Sequence, residues 1–137
     1  MTDQVVGGLD GLEEAIKELD VQTSQKALRN ALMYSSKPMV EHMKASAPYD
    51  ESDENGDRKH LVDYIKRRSE KGNGDHAAKV RVGVFSGRMA RIAYMLNYGT
   101  KYIRAFPWLN NSAAANVDIT IERFVSKLRK NLEKAKR

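Results

Sequence analysis

Lys79-Val80-Arg81-Val82-Gly83-Val84 alternates valine with lysine, arginine and glycine, the period-two pattern of a strand with one apolar side. The basic side of that strand must face solvent or a partner. Past Ser86-Gly87 the period lengthens: Met89, Ile92, Ala93 and Leu96 recur at helical spacing, which predicts a short helix over 89–98. Gly99 falls where a left-handed cap ends such a helix.

Upstream, Lys71-Gly72-Asn73-Gly74-Asp75 predicts a turn. Before it, Leu61, Val62, Tyr64 and Ile65 fit a helix and a strand equally, and Lys66-Arg67-Arg68 follows. Residues 50–57 hold five carboxylates and predict a mobile acidic loop. The run from Glu51 to Gly56 imitates the start of a calcium loop, but the twelfth position, which needs a bidentate carboxylate, is Val62. Two apolar stripes precede the loop. Leu9, Leu12, Ile16 and Leu19 mark a first helix, with Asp10, Glu13 and Glu14 suiting its positive end. Leu28, Ala31, Leu32, Met39 and Met43 mark a longer one over about 23–45. Pro38 removes a backbone donor inside it, so a kink or two helices meeting at Ser36 is expected. Met33, Met39 and Met43 read as core filler. Downstream, Pro107 suits the first position of a last helix, along which Leu109, Ala113, Val117, Ile121, Phe124, Leu128 and Leu132 form one stripe. Val117, Ile119 and Ile121 also suit a strand, leaving room for a break near Asn116.

The chain has 137 residues, which predicts a single domain over 1–137 with a flexible N-terminus at 1–8. It contains no cysteine, so thiol catalysis, thiolate metal sites and disulfides are excluded. Met1-Thr2-Asp3-Gln4 lacks a basic, apolar leader pattern, and a soluble protein made in the cytoplasm is expected. The net charge of +6 divides sharply: residues 1–57 sum to −7 and residues 58–137 to +13. Two unlike surfaces are what a subunit needs to meet its neighbours head to tail. A merely solvated surface is the other reading, because sequence halves need not become spatial halves.

Catalytic chemistry finds little support, and neither a cofactor nor a metal is expected. His42, His60 and His76 lack the spacing of a metal pair, and no phosphate-cradling glycine loop or nucleophile elbow occurs. Arg67 and Arg68 with Lys127, Arg129, Lys130 and Lys134 are candidate phosphate contacts, and Arg81, Arg88, Arg91 and Arg104 add charge between them. No sequence-reading signature accompanies these residues. A small basic protein that binds nucleic acid without sequence preference is therefore the alternative function.

The most specific stretches are Ala93-Tyr94-Met95-Leu96-Asn97-Tyr98-Gly99-Thr100 and Arg104-Ala105-Phe106-Pro107-Trp108-Leu109. Together they resemble the signature of a bacteriophage neck family, the tail-completion or head-tail joining proteins of long-tailed phages related to lambdoid coliphages. In that family an aromatic helix runs into an acidic-aromatic-Gly-Thr turn, and an Ala-x-Pro-Phe-Leu type segment opens the last helix. Ala45-Ser46-Ala47-Pro48 resembles the family's helix end, and Leu61-Val62-Asp63-Tyr64-Ile65 its Leu-Arg-Asp-Ser-Ile segment. Lys79 to Val84 resembles its Val-x-Val-Gly strand, so the likeness covers roughly residues 25–115 in order. Asn97 stands where the family carries an acid, and Asn111 where it often carries proline.

The resemblance implies an α+β fold, with a small, mostly antiparallel sheet packed by a long N-terminal and a long C-terminal helix. It implies a non-enzymatic virion protein of the neck that completes the tail or joins it to the DNA-filled head. The partners it implies are further copies in a ring, with six a candidate number, neighbouring connector and tail-tube or tail-terminator proteins, and genomic DNA in the channel, but no membrane. Its motif residues here are Pro48, Leu61, Ile65, Tyr94, Tyr98, Gly99, Thr100, Phe106, Pro107, Trp108 and Leu109. Of these, Phe106 and Trp108 are expected to anchor the loop on the core. Any basic side facing the channel would meet DNA phosphates without reading sequence.

Overall fold

The computed structural model describes residues 11–48 and 60–135. The expectations for residues 1–8, for Leu9 and Asp10, and for the acidic loop at 50–57 lie outside the described residues. The fold is α+β, with a two-stranded antiparallel sheet packed against a long C-terminal helix. In chain order the elements are α1 (residues 11–18), α2 (Val21–Ser35), α3 (Lys37–Ser46), a single 3-10 turn (Leu61–Tyr64), β1 (Ile65–Lys71), β2 (Ala78–Val84), α4 (Gly87–Tyr98) and α5 (Trp108–Ala135). Of the two outcomes expected at Pro38, the chain takes the second: two helices, α2 and α3, meet at Ser36, so each is shorter than the whole 23–45 stretch.

These elements form two compact units: one from Met1–Lys37, Arg68–Arg81 and Asp118–Arg137, the other from Pro38–Arg67 and Val82–Val117. In the first, Leu12 and Ile16 of α1 close over Ala27, Leu28 and Ala31 of α2 and over Leu128 and Leu132 of α5. The Asp20 carboxylate accepts the Thr23 N–H at 3.2 Å and caps α2. Hydrogen bonds from Thr23 hold its pKa below the usual carboxylate value.

The C-terminal end of α2 shows what Pro38 does. Pro38 has no N–H for the Tyr34 carbonyl, its ordinary helical partner, and the Arg123 guanidinium donates to that carbonyl instead, at 3.3 Å. Arg123 also lies over the Tyr34 ring, 4.1 Å from its centroid, and Lys127 lies 5.4 Å from it. Two cations from α5 therefore sit at the negative end of α2, whose own last turn holds none. Ser35 and Ser36 donate from their hydroxyls to the Leu32 and Met33 carbonyls. Pro38 itself lies in the first turn of α3, where a missing donor costs little.

In the second unit, Val40 and Met43 of α3, Leu61, Ile65, Val84, Ala93 of α4, and Trp108 with Leu109 of α5 form the core. The ambiguity at 61–71 resolves into both answers in sequence: a 3-10 turn, fixed by the His60 N–H donating to Asp63, then a strand. The hairpin turn at 72–77 requires Gly72, since a Cβ there would lie 2.6 Å from the Ala77 and Ala78 backbone. Two expectations are corrected. The helix α5 runs unbroken past Asn116, yet Val117, Ile119 and Ile121 in its middle are exposed rather than part of a buried stripe. Pro107 precedes α5 as its cap instead of opening it: its carbonyl accepts the first helical bond, from Asn111.

Candidate interaction surface

The segment 94–109 divides into residues that build the fold and residues that it displays. Gly99 ends α4 with φ +79° and ψ 169°, an extended, positive-φ conformation essentially confined to glycine and not the left-handed helical cap expected. A Cβ there would also lie 2.8 Å from the Ala105 nitrogen. Beyond it the Thr100 hydroxyl oxygen accepts the N–H groups of Tyr102 and Ile103 at 3.2 and 3.0 Å, and the Thr100 N–H donates to the Ile103 carbonyl. The Phe106 N–H returns to the Leu96 carbonyl at 2.9 Å, tying the far side of the turn to the end of α4.

Asn97 completes the tie. It is 1% exposed, and its Oδ1 accepts from the N–H groups of Leu109 and Asn110 at 3.0 and 3.2 Å. With Trp108 donating to the Phe106 carbonyl, every N–H of the first turn of α5 has a partner supplied from outside the helix. An amide oxygen here does what a carboxylate does at other helix starts, accepting two N–H groups. Trp108, 1% exposed, and Leu109 sit in the core below.

On this hydrogen-bonded frame the aromatic side chains point outward. Tyr98 is 64% exposed, Phe106 52% and Tyr102 88%, and Tyr94, Met95 and Ile103 are exposed as well. Tyr94 and Tyr98 stack with centroids 6.4 Å apart and planes 16° from parallel. Phe106 therefore does not anchor the loop against the core; Trp108 alone does. Lys101 and Arg104 are exposed in the same segment, as is Arg91 earlier on α4, and the Lys101 ammonium lies 5.7 Å from the Tyr102 ring. Exposed aromatics in one short segment, with a cation over one of the rings, have the composition of a protein contact centre.

The remaining motif residues are structural. Leu61 and Ile65 are core residues, Pro48 and Pro107 are half-buried, and exposed Thr100 works through its turn bonds. Of the basic candidates, Arg129, Lys130 and Lys134 are exposed on α5 and Arg68 is exposed on β1, whereas Arg67 is half-buried and Lys127 half-buried over Tyr34. Sequence reasoning did not single out Tyr102, Ile103, Lys101 or the capping role of Asn97. One signal was present: residues 76–117 contain no Asp or Glu. Among the described residues no group of three His, Asp or Glu is placed to hold a metal ion, and no helix is long and apolar enough to cross a membrane. No family model, curated protein or solved structure matches the chain.

Proposed function

We propose that this chain is a structural, non-enzymatic subunit of a long-tailed bacteriophage neck, completing the tail or joining it to the head within a ring. The observation that carries the reading is the exposed aromatic turn of Tyr98, Tyr102 and Phe106, presented on a frame that spends Gly99, Thr100 and Asn97 on holding it. A turn whose backbone is already fixed by hydrogen bonds has less backbone freedom to lose on docking, which suits an assembly subunit. The order of elements supports the same reading: helix, strand, aromatic helix, Gly-Thr turn and Pro-Trp-Leu helix start follow the neck-family succession. Partners would be further copies and the adjoining connector and tail proteins, with DNA phosphates passing any basic channel face.

Deleting the gene from its phage tests this directly. The expected outcome is separate filled heads and tails with loss of infectious titre; normal particles would overturn the reading. The nucleic-acid alternative draws on the exposed Arg129, Lys130 and Lys134. It requires DNA mobility shifts at about 0.15 M salt that weaken when these residues are neutralised.

A further inference from the structure

We infer that the aromatic turn takes, as its occupant, the acidic N-terminal face of a second copy of this chain. The inference rests on the assembly reading above and names the partner of that site. From His76 to Val117 the chain carries no carboxylate, and the exposed cations Lys101 and Arg104 of the turn and Arg91 of α4 have no acidic neighbour in sequence to neutralise them. A protein docking there must bring its own carboxylates.

The chain supplies such a face. Along α1 and into the cap of α2, Glu13, Glu14, Glu18 and Asp20 are all exposed, against Lys17 alone. Lys17 is spent on Glu13 at 3.2 Å, and Asp20 on its cap, so Glu14 and Glu18 hold the unspent charge. The two surfaces come from different parts of the chain and are unlike, so we infer a head-to-tail contact in place of a reciprocal pair. Each copy offers one surface and receives the other, and the series closes into a ring or runs on. The aromatic centre supplies the area and the charged rims fix the register and exclude like-on-like pairing.

The test uses reversed charges in the full chain. Arg91→Glu/Lys101→Glu/Arg104→Glu inverts the turn's rim, and Glu13→Lys/Glu14→Lys/Glu18→Lys inverts the acidic face; Asp20 is left intact because it caps α2. Sedimentation velocity on concentrated protein should show association of the wild type. Each reversed variant should associate at least about tenfold more weakly, since like charges then oppose each other. The chain carrying both reversals should regain association, and so should an equimolar mixture of the two variants. Carbodiimide cross-linking of mixed light and heavy-isotope protein should join Lys101 of one copy to Glu14 or Glu18 of another. Unchanged circular dichroism melts separate these effects from misfolding.

Three results overturn the inference: a wild type that stays monomeric at every concentration, a double reversal that fails to regain what the single reversals lost, or a DNA mobility shift abolished by the rim reversal, which would assign the turn to nucleic acid. A gene deletion that still blocks head-tail joining would leave the neck reading standing in the first two cases.

Discussion

Asn97 ties the end of α4 to the start of α5. Its Oδ1 serves two N–H groups of α5 in a site closed to water. Asn97→Ala leaves the Leu109 donor buried and unpaired and takes the partner from the part-buried Asn110 donor, so a loss of about 1–3 kcal/mol in unfolding free energy is expected, measured by urea titration. Asn97→Asp keeps an oxygen acceptor for both N–H groups; it should retain far more stability than the alanine variant. Asp20 offers a pH-resolved counterpart. Its folded pKa is depressed, first by hydrogen bonds from Thr23, so its contribution is present above the unfolded carboxylate pKa and is lost as pH falls through the folded value. Asp20→Ala should therefore lower Tm at pH 7, and the gap to wild type should close as the pH falls below the ordinary aspartate range. Gly99→Ala forces a side chain into a positive-φ, crowded position and should destabilise where most surface alanines would not.

Elements were legible wherever an unambiguous apolar period ran along them. The helix α4 and the strand β2 are of that kind, and both lie where valine alternation and the 89–96 spacing put them. The strand β1 was not separable from a helix, because Ile65 is its only buried residue and the strand is held by pairing with β2 rather than by its own pattern. The helix α5 misled in the opposite sense. Its stripe reads as continuous, yet Leu109 and Ala113 belong to one apolar cluster and Phe124, Leu128 and Leu132 to another, while Val117, Ile119 and Ile121 are exposed. The break at Pro38 was legible, but its repair by Arg123 was not, since nothing in local sequence links residues 34 and 123. That repair gives a coupled prediction. Arg123→Ala should cost about 1–3 kcal/mol by taking from the Tyr34 carbonyl its side-chain donor and from the Tyr34 ring the nearer of its two cations, and less in a Pro38→Ala background, where a backbone N–H is returned to that carbonyl.

At the scale of the whole molecule, the site was half legible. Glycine, threonine, proline and tryptophan in the 98–109 motif announce a built turn, and the structure places them in that role. Exposure of the aromatics could not be read, because tyrosine and phenylalanine fill cores as readily as they cover interfaces, and periodicity does not say which face a turn displays. Charge reads differently as well. The +6 total and the −7 and +13 halves say little about DNA by themselves, since Lys127 lies over Tyr34 and its neighbours on α5 are simply exposed. Placed on the fold, the useful division is finer: a carboxylate-free segment that displays an aromatic turn, and an acidic N-terminal helix. Removing the aromatics should cost the fold little, because Tyr98 and Phe106 are outside both cores.

That separation of folding from assembly makes one measurement decisive. Negative-stain electron microscopy would compare wild type with Tyr98→Ser/Phe106→Ser, each alone and each mixed with the proteins encoded on either side of its gene, at matched thermal stability. Closed rings from the wild type and none from the variant are the predicted result. Particles that are monomeric in every mixture, or rings formed equally well by the variant, would contradict the account.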